Sequence, residues 1–193
     1  RLQPENCQAA YGLGNVLFTM QKTEQALAFL ERAAKDDKLH IPATVAQARC
    51  HRMLDNPQPS LTKMREVIKS IVIALRALQR MSMVHRDLKP ENVMLCADGT
   101  TKVIDFGTVY VNGLQETNSL LKEEIPVGSI HYTSPENLQS VSPQSSSDLY
   151  SRGVMTYEML CGELPYKEPA SAVAAVKMRS WHYRSLRSHR ADI

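Results

Sequence analysis

A change of hydrophobic period near residue 83 is the feature that most constrains how this chain can fold. Before it, a long amphipathic helix is predicted from about Thr62 to Met81. Its apolar face consists of Val67, Ile68, Ile71, Val72, Leu75 and Leu78. After it, the pattern predicts three short strands, at Met83–His85, Val93–Leu95 and Lys102–Ile104. Asp98-Gly99 is a hairpin turn signal between the last two strands.

Helical patterns return further along the chain, after a loop predicted to run from Thr108 to Asn137. The predicted helices lie near Asp148–Leu160 and Ala170–Met178. Residues 60–193 are therefore predicted to form a mainly helical α+β lobe that contains a small β-hairpin.

The first 55 residues are predicted to form three helices. Apolar residues recur at helical spacing in two segments, at Ala9, Ala10, Leu13, Val16, Leu17 and Met20, and at Ala26, Leu27, Phe29, Leu30, Ala33 and Ala34. A third helix is predicted to begin after Pro42, because proline suits a first helical turn. Two prolines within Asn56–Ser60 would break any helix, so a boundary between residues 1–55 and 60–193 is predicted there.

Composition narrows the class of protein. The formal net charge is only +3, which does not indicate a nucleic-acid partner. The sequence contains no run of about 18 apolar residues, so no membrane span is predicted. The four cysteines lie far apart and form no C-x-x-C pair, so no zinc site is indicated. Scattered cysteines favour a reducing compartment, and a cytoplasmic location is predicted. The absence of an initiator Met or a signal peptide predicts a fragment or a processed form.

An ordered series of polar motifs begins directly after the long helix. It starts with the octapeptide His85-Arg86-Asp87-Leu88-Lys89-Pro90-Glu91-Asn92, and Asp105-Phe106-Gly107 begins thirteen residues after Asn92. Gly128-Ser129, Ser134-Pro135-Glu136 and Ser147-Asp148 follow in that order. Taken singly, Asp87 suits a turn and Asp105 suits the cap of a strand. The complete series is far more specific than any of its members.

This order and spacing resembles protein kinases of the serine/threonine type. The motifs match the catalytic loop (residues 85–92), the DFG motif (105–107), an activation segment (105–136) that closes on an A-P-E-like sequence, and the start of the next large helix. The resemblance implies the C-terminal lobe of a kinase, which transfers the γ-phosphate of ATP to a serine or threonine hydroxyl of a protein substrate.

The resemblance also implies the chemistry of the site. Asp87 would accept the proton of the substrate hydroxyl, and Lys89 would reach the transferring phosphate. Asn92 and Asp105 would hold Mg²⁺ through the hard oxygen ligands that this ion prefers. ATP would be contacted by Lys89, Glu91, Asn92, Leu95 and Asp105, with Leu95 as the floor under the adenine.

Further positions are implied to orient or regulate the site, namely His85, Arg86, Phe106, Gly107, Ser129, Glu136 and Asp148. His85 would pack against the loop, and Asp148 would hold the loop's backbone from below. Gly107 would let the chain turn sharply after Asp105. Ser129 stands where the family hydrogen-bonds the catalytic Asp and Lys. Arg86 would pair with a phosphate on the activation segment, for which the candidate acceptors are Thr108, Thr117, Ser119 and Ser129.

Two narrower resemblances concern the flanking sequence. Asp105–Leu114 and Gly162–Tyr166 resemble bacterial kinases of the eukaryotic-like type, in particular those fused to a PP2C-type phosphatase. The N-terminal helices resemble one tetratricopeptide or Sel1-like repeat through Leu13, Gly14, Leu17, Ala26, Leu30 and Ala33. Such a repeat implies a protein or peptide partner, and an ordinary helical hairpin is the alternative.

The sequence departs from the kinase pattern in its N-terminal part. A Gly-rich loop and a strand lysine paired with a helix glutamate are expected of a kinase, and neither is visible before residue 60. No arginine can be assigned to Glu136, and Arg152 is a charge on a helix expected to be largely buried. Two hypotheses follow: a serine/threonine kinase lobe that has little activity in isolation, or a non-catalytic kinase-like module that binds partners.

Overall fold

Helices form most of the structure, a computed structural model that describes residues 6–54, 61–96, 100–113, 129–138, 143–166 and 183–189. Within these residues, helices α1 to α6 span Cys7–Thr19, Thr23–Ala33, His40–Met53, Leu61–Arg80, Pro135–Leu138 and Ser145–Cys161. Strands β1 to β4 span Met83–Val84, Val93–Leu95, Thr101–Val103 and Tyr110–Val111. Short 3₁₀ turns lie at Pro90–Asn92 and Leu186–Ser188. The predicted boundary at 56–60 and the predicted helix at 170–178 lie outside the described residues.

Two antiparallel ribbons hold the ends of the octapeptide. The hairpin predicted after it is present, with Val93 of β2 opposite Val103 of β3, although its turn at 97–99 lies outside the described residues. The strand predicted before it is β1, which pairs with β4 so that Met83 faces Val111. This second pairing was not predicted, because Tyr110–Val111 is a two-residue strand inside a stretch assigned to a loop. Residues 85–92 are consequently fixed on both sides.

The main core lies beneath this octapeptide, where the apolar face of α4 meets α3, α6 and β2. The helix observed at Leu61–Arg80 confirms the amphipathic helix predicted at 62–81. Three residues of α4 are buried in this core, namely Met64, Val67 and Ile71. They pack with Val93, Met155 and Met159. Leu88, in the middle of the octapeptide, is fully buried in the same core. Burying such a side chain contributes about 1.5–3 kcal/mol, so Leu88 anchors the loop between two charged neighbours.

Helix α3 is buried on two sides and joins the N-terminal helices to the lobe. Ile41 and Val45 belong to the main core, whereas Ala46 and Cys50 pack with Ala26 and Leu30 of α2. Small side chains on α3 permit this close double packing. The helix begins at His40 rather than after Pro42 as predicted, which still places the proline in the first turn. The division of the chain into residues 1–55 and 60–193 stays a prediction. Helix α3, which lies before that boundary, contributes both to the main core and to the cluster with α2.

The two N-terminal helices form a hairpin that packs on α3. Asn6 caps α1 by accepting a hydrogen bond from Ala9 N at 2.9 Å through its side chain. A Cβ at Gly14 would lie 2.8 Å from the Leu30 side chain, so the glycine allows α1 and α2 to approach closely. The helices predicted for this region are therefore confirmed. Their likeness to a tetratricopeptide or Sel1 repeat stays a prediction.

The cysteines and the described helices bear on two features that the composition did not indicate, namely disulfides and membrane spans. No disulfide joins Cys7, Cys50, Cys96 or Cys161, and burial raises the pKa of Cys50 to about 11. None of the described helices is both long and apolar enough to cross a bilayer. Even α4, with twenty residues, is amphipathic rather than continuously apolar.

The C-terminal end of α6 meets the backbone of α3 at a glycine. Gly162 has φ of +72° and ends the helix by donating its N–H to Glu158 O at 2.7 Å. A Cβ at this position would lie 2.5 Å from the backbone carbon of Ala48 and the nitrogen of Arg49. The glycine is thus required both by its left-handed conformation and by the contact with α3.

Replacing Gly162 by alanine should destabilise the fold strongly. We expect Gly162→Ala to lower the free energy of unfolding by about 2–5 kcal/mol, since it adds left-handed strain to a clash with backbone atoms that cannot rotate away. Gly113→Ala is the matched control: its φ is +87° but nothing lies within 4 Å, so only about 1–2 kcal/mol should be lost. Urea unfolding followed by circular dichroism measures both. Equal losses in the two variants would contradict the close contact between α6 and α3.

Candidate active site

The backbone at the start of the octapeptide is held by a buried carboxylate on α6. Asp148 Oδ2 accepts the N–H of His85 at 2.8 Å, and Asp148 Oδ1 accepts the N–H of Arg86 at 3.0 Å. Burial raises the pKa of Asp148, and the two backbone hydrogen bonds oppose that rise. Arg86 has φ of +71°, which is unfavourable for a non-glycine residue. The bond to Asp148 stabilises this conformation and so sets the direction in which the following residues leave.

His85 connects the octapeptide to the Asp105-Phe106-Gly107 motif. Its side chain is fully buried, and Nε2 lies 3.1 Å from the carbonyl oxygen of Ile104. The ring of Phe106 contacts it edge-on, with centroids 5.4 Å apart. Thr108 Oγ1 donates to the carbonyl oxygen of His85 at 2.8 Å, so the hydroxyl of this candidate phosphate acceptor already has a partner. Two further candidate acceptors, Thr117 and Ser119, lie outside the described residues.

Asp87 is the centre of the polar network at the protein surface. Its Oδ2 accepts hydrogen bonds from Lys89 Nζ at 2.8 Å and from Asn92 Nδ2 at 3.1 Å. Its Oδ1 accepts the backbone N–H of Ser129 at 2.8 Å. The Asp87 side chain is 10% exposed to solvent, and the Lys89 side chain is 24% exposed. Three of the four residues expected to carry the chemistry, Asp87, Lys89 and Asn92, are therefore in direct contact.

Asp105 is brought to the same region through the backbone. Asn92 is buried, and its Nδ2 also donates to Asp87 O at 2.8 Å. The carbonyl oxygen of Asn92 accepts the N–H of Ile104 at 2.9 Å, which places the next residue, Asp105, beside the octapeptide. Asp105 is exposed, and its Oδ1 accepts only a long hydrogen bond of 3.4 Å from Gly107 N among the contacts described.

The unusual backbone conformation of the DFG motif lies at its aspartate. Asp105 has φ of +66°, whereas Gly107 is not among the described residues with positive φ. Gly107 begins the turn at residues 107–108, directly after the motif's Asp and Phe, and its role in letting the chain turn stays a prediction. Aspartate tolerates the left-handed region better than most residues, because its short polar side chain can hydrogen-bond locally. The strain thus falls on the residue proposed to bind metal, a pattern common at functional sites.

The donor set suits a magnesium ion. Among the described residues there is no group of three or more His, Cys, Asp or Glu side chains that could hold a metal ion by themselves. Magnesium does not need one, since it commonly binds one or two protein oxygens together with substrate phosphates and water. The Asp105 carboxylate and the Asn92 amide oxygen are such hard ligands. Asp105 is exposed and only weakly engaged, so its oxygens are accessible to an ion.

The proposed nucleotide floor has a neighbour that was not predicted. Leu95 is half-buried on β2, and its N–H donates to Asp37 O in the α2–α3 loop at 3.0 Å. Asp36 stabilises that loop by accepting N–H groups of Lys38 at 2.9 Å and Leu39 at 3.2 Å. The N-terminal part therefore reaches the edge of the site. Nothing in the sequence connects the α2–α3 loop to β2, because the contact joins residues that are distant along the chain. Glu91, at the surface in the 3₁₀ turn, is exposed.

Glu136 and Arg152, the remaining residues singled out from the sequence, both lie at α6: Glu136 contacts it and Arg152 belongs to it. Glu136 Oε1 accepts a hydrogen bond from Ser147 Oγ at 3.1 Å, a partner for this carboxylate that the sequence did not suggest. Arg152 is half-buried and lines an open cleft of about 380 Å³ between α4 and α6, together with Arg76 and Leu149. The apparent conflict of a charge on α6 is resolved by this cleft, because the guanidinium can remain solvated at its mouth.

The sequence did not predict a buried ion pair that contacts Tyr132. Glu158 on α6 is fully buried and forms an ion pair with Arg49 of α3. Its other oxygen, Oε2, accepts the Tyr132 hydroxyl at 2.5 Å. Burial lowers the pKa of Arg49, but the charge and hydrogen bond of Glu158 outweigh it and the pKa is raised. The only available signal was a glutamate inside the apolar pattern of α6, and its partner lies 109 residues away.

Comparison with known proteins defines the class to which this fold and site belong. A family model described as "Protein kinase domain" matches residues 15–190. That match covers most of the chain, crosses the boundary predicted at 56–60, and includes every residue named in the site. The chain belongs to the protein kinase family.

Similar curated proteins are serine/threonine kinases from bacteria and from an animal. The chain is 37% identical over 112 residues to the probable serine/threonine-protein kinase PknB of Lactococcus lactis, covering 58% of this chain and 17% of that protein. It is 35% identical over 111 residues to PknA of Corynebacterium glutamicum, covering 58% and 23%. The testis-specific serine/threonine-protein kinase 5 of Mus musculus is 34% identical over 151 residues, covering 78% and 38%. The chain thus spans well under half the length of these relatives.

Removing the charge of Asp148 should loosen the octapeptide. In Asp148→Asn one carboxylate oxygen becomes an N–H donor that faces the backbone N–H of His85 or Arg86. We expect the free energy of unfolding to fall by about 1–3 kcal/mol, the cost of leaving a buried donor without its acceptor. Glu66→Gln on the exposed face of α4 is the matched control and should change stability by less than about 0.5 kcal/mol. Thermal unfolding of both variants tests this, and an Asp148→Asn protein as stable as the parent contradicts it.

Proposed function

We propose that this chain is the catalytic lobe of a serine/threonine protein kinase, which transfers the γ-phosphate of ATP to a hydroxyl group of a protein. The observation that carries the proposal is the contact of Lys89 and Asn92 with one carboxylate, Asp87, at the surface of the lobe. Chemistry of this kind requires positioning and charge neutralisation more than covalent help, and a base, a cation and a metal ligand in contact supply both.

Asp87 is the residue suited to accept the proton of the attacking hydroxyl. Its hydrogen bonds from Lys89, Asn92 and the Ser129 amide hold the carboxylate in one orientation, so little reorganisation is needed when a substrate hydroxyl arrives. Lys89 carries three donors on a flexible stem. It can keep one of them on Asp87 and direct another at a phosphate oxygen, which brings the proton acceptor and the transferred group together.

Asn92 and Asp105 are the proposed ligands of Mg²⁺. The ion supplies neutralisation of the negative charge on the ATP phosphates. The protein's own contribution is to hold these two side chains near Asp87, through the bond of Asn92 Nδ2 to Asp87 O and the bond of Ile104 N to Asn92 O. The strained backbone at Asp105 leaves its carboxylate exposed to solvent, where its oxygens would be accessible as ligands of the ion.

The nucleoside end of ATP would lie over β2. Leu95 is proposed as an apolar floor for the adenine and Glu91 as a neighbour of the nucleotide. The α2–α3 loop lies at the same edge, since Asp37 O accepts the N–H of Leu95. Residues 6–54, as described, are helices with short connections and present no strand that could carry a lysine above the phosphates.

The N-terminal hairpin supports a second candidate function. Val16 and Met20 near the tip of the α1–α2 hairpin are 54% and 56% exposed, which favours contact with a protein or peptide partner. In the non-catalytic alternative, such binding would be the whole function and the site residues would serve only the fold. From the scattered cysteines we propose a cytoplasmic location. From residues 105–114 and 162–166 we propose a likeness to bacterial kinases of the eukaryotic-like type, in particular those fused to a PP2C-type phosphatase. No role in nucleic-acid binding is proposed.

Binding of MgATP to the 193-residue chain should be weak. The described residues offer a floor for the adenine but no Gly-rich loop above the phosphates, so we expect a dissociation constant above about 100 µM. Asp105→Asn should weaken binding further, and only when Mg²⁺ is present. Isothermal titration calorimetry with ATP, with and without Mg²⁺, provides the measurement. Binding at micromolar or lower concentration would show that the helical hairpin covers the nucleotide.

Catalysis should depend on Asp87 and on a small lobe. We expect the 193-residue chain to transfer little phosphate, and a longer polypeptide that adds a Gly-rich loop and a strand lysine to phosphorylate serine or threonine. In that longer form, Asp87→Asn should lower transfer by at least about 100-fold, the usual contribution of a positioned base. The free energy of unfolding should fall less than in Asp148→Asn, because asparagine has the same size and solvent at the partly exposed Asp87 position can replace the lost acceptor.

Radiolabelled ATP and a mixed serine/threonine peptide substrate test this, with Glu66→Gln as the surface control. Efficient, Asp87-dependent transfer by the 193-residue chain would refute the need for a further lobe. Equal transfer by the longer polypeptide and its Asp87→Asn variant would remove Asp87 from the mechanism and favour the non-catalytic alternative.

A further inference from the structure

The fully buried Glu158 has one partner on each of its oxygens. Arg49 of α3 pairs with Oε1, and the Tyr132 hydroxyl donates to Oε2 at 2.5 Å. An ionised carboxylate at this depth requires such partners, because the interior solvates charge poorly. The Glu158 side chain is 1% exposed to solvent, whereas the Arg49 side chain is 43% exposed. Arg49 therefore reaches from the surface of α3 to a buried charge that contacts Tyr132.

Tyr132 connects this ion pair to the turn that contacts the catalytic carboxylate. Its backbone is fixed at both polar groups: the N–H donates to Ser129 O at 2.8 Å, and the carbonyl accepts Ser151 Oγ at 2.7 Å. Thr133 donates to the same Ser129 oxygen through its N–H at 3.1 Å and its hydroxyl at 3.0 Å. The Ser129 N–H then points to Asp87 Oδ1 at 2.8 Å. Displacing Tyr132 would displace the donor that orients Asp87.

The position of Arg49 depends in turn on the N-terminal hairpin. Ala46 and Cys50, on either side of Arg49 along α3, pack with Ala26 and Leu30 of α2. Tyr11 of α1 packs against the same cluster. Burial raises the pKa of Tyr11, and the charge of Arg49 is among the influences that oppose the rise. Arg49 therefore lies between the helical hairpin and the lobe.

We propose that Arg49 is a positioning residue for the phosphoryl-transfer site: by fixing Glu158 it holds Tyr132, and through Tyr132 it holds the Ser129 amide on Asp87. The connection consists of hydrogen bonds and one ion pair, without a gap, from α3 to the catalytic loop. It gives the N-terminal hairpin, which carries α3, a physical means of altering the orientation of Asp87. This inference rests on the proposed role of Asp87.

Amide hydrogen exchange of the full 193-residue chain, measured by NMR without nucleotide, tests the connection directly. The readout is the exchange rate of the Ser129 amide, with the Met155 amide in the core of α6 as internal reference. We expect Tyr132→Phe, which leaves the ion pair intact, and Arg49→Met to raise the Ser129 rate about fivefold to tenfold relative to Met155, the effect of losing one hydrogen bond. Arg49→Lys should restore most of the protection.

Arg184→Met is the matched control, because it removes an arginine paired with a more exposed glutamate, Glu163, at 3.4 Å. It should leave the Ser129 rate unchanged. An unchanged Ser129 rate in Tyr132→Phe would overturn the proposal. So would an equal rise at Ser129 and Met155 in Arg49→Met, since Arg49 would then only stabilise the fold.

In the longer, phosphate-transferring polypeptide, Arg49→Met and Tyr132→Phe should each lower kcat about tenfold and leave the KM for MgATP unchanged. Asp87→Asn is measured beside them. Loss of activity in Asp87→Asn but not in the Arg49 and Tyr132 variants refutes this inference alone. Full activity in Asp87→Asn refutes the proposed function, and the exchange rates then still report whether the connection exists.

Discussion

The contact between the Asp148 carboxylate and the backbone of the octapeptide is the interaction on which the rest of the site depends. Two N–H groups in consecutive residues, His85 and Arg86, converge on one buried side chain. Without an acceptor there, these donors would be left unsatisfied near the core, and the left-handed conformation at Arg86 would have no compensation. Because the chain leaves Arg86 in a fixed direction, Leu88 reaches the core and its neighbours Asp87 and Lys89 remain at the surface.

A second constraint follows from how α3 is buried. Its apolar residues contribute to the core under the octapeptide and also to the interface with α2, so the hairpin and the lobe cannot move independently without opening one of the two. The small residues of α3 and the glycine that ends α6 allow this packing. The α2–α3 loop also reaches β2 through the bond between Asp37 and Leu95. The N-terminal helices are thereby coupled to the site from two directions.

The site combines rigid and accessible parts in a way that suits transfer of a charged group. Asn92 and His85 are buried and hold the loop, whereas Asp105 and Glu91 are exposed. The carboxylate at the centre, Asp87, is between these extremes and receives three hydrogen bonds. Preorganisation of this kind lowers the reorganisation needed during reaction, while the exposed oxygens of Asp105 would remain accessible to the proposed Mg²⁺ ion.

The sequence by itself determined the class of the protein and predicted most of the candidate site, because the relevant signals are local. The amphipathic period of α4, the short strand patterns at β2 and β3 with the turn signal between them, and the order of the motifs around Asp87 and Asp105 all lie within short stretches of chain. Only the tertiary structure decided the pairing of β1 with β4, the place of α3 in two cores, the left-handed conformation at Asp105, and the partners of Glu158 and Leu95. Each of these joins residues distant in sequence or depends on backbone torsion angles. Hydrophobic periodicity carries no information about such contacts, since they are fixed by packing and by the need to satisfy buried polar groups.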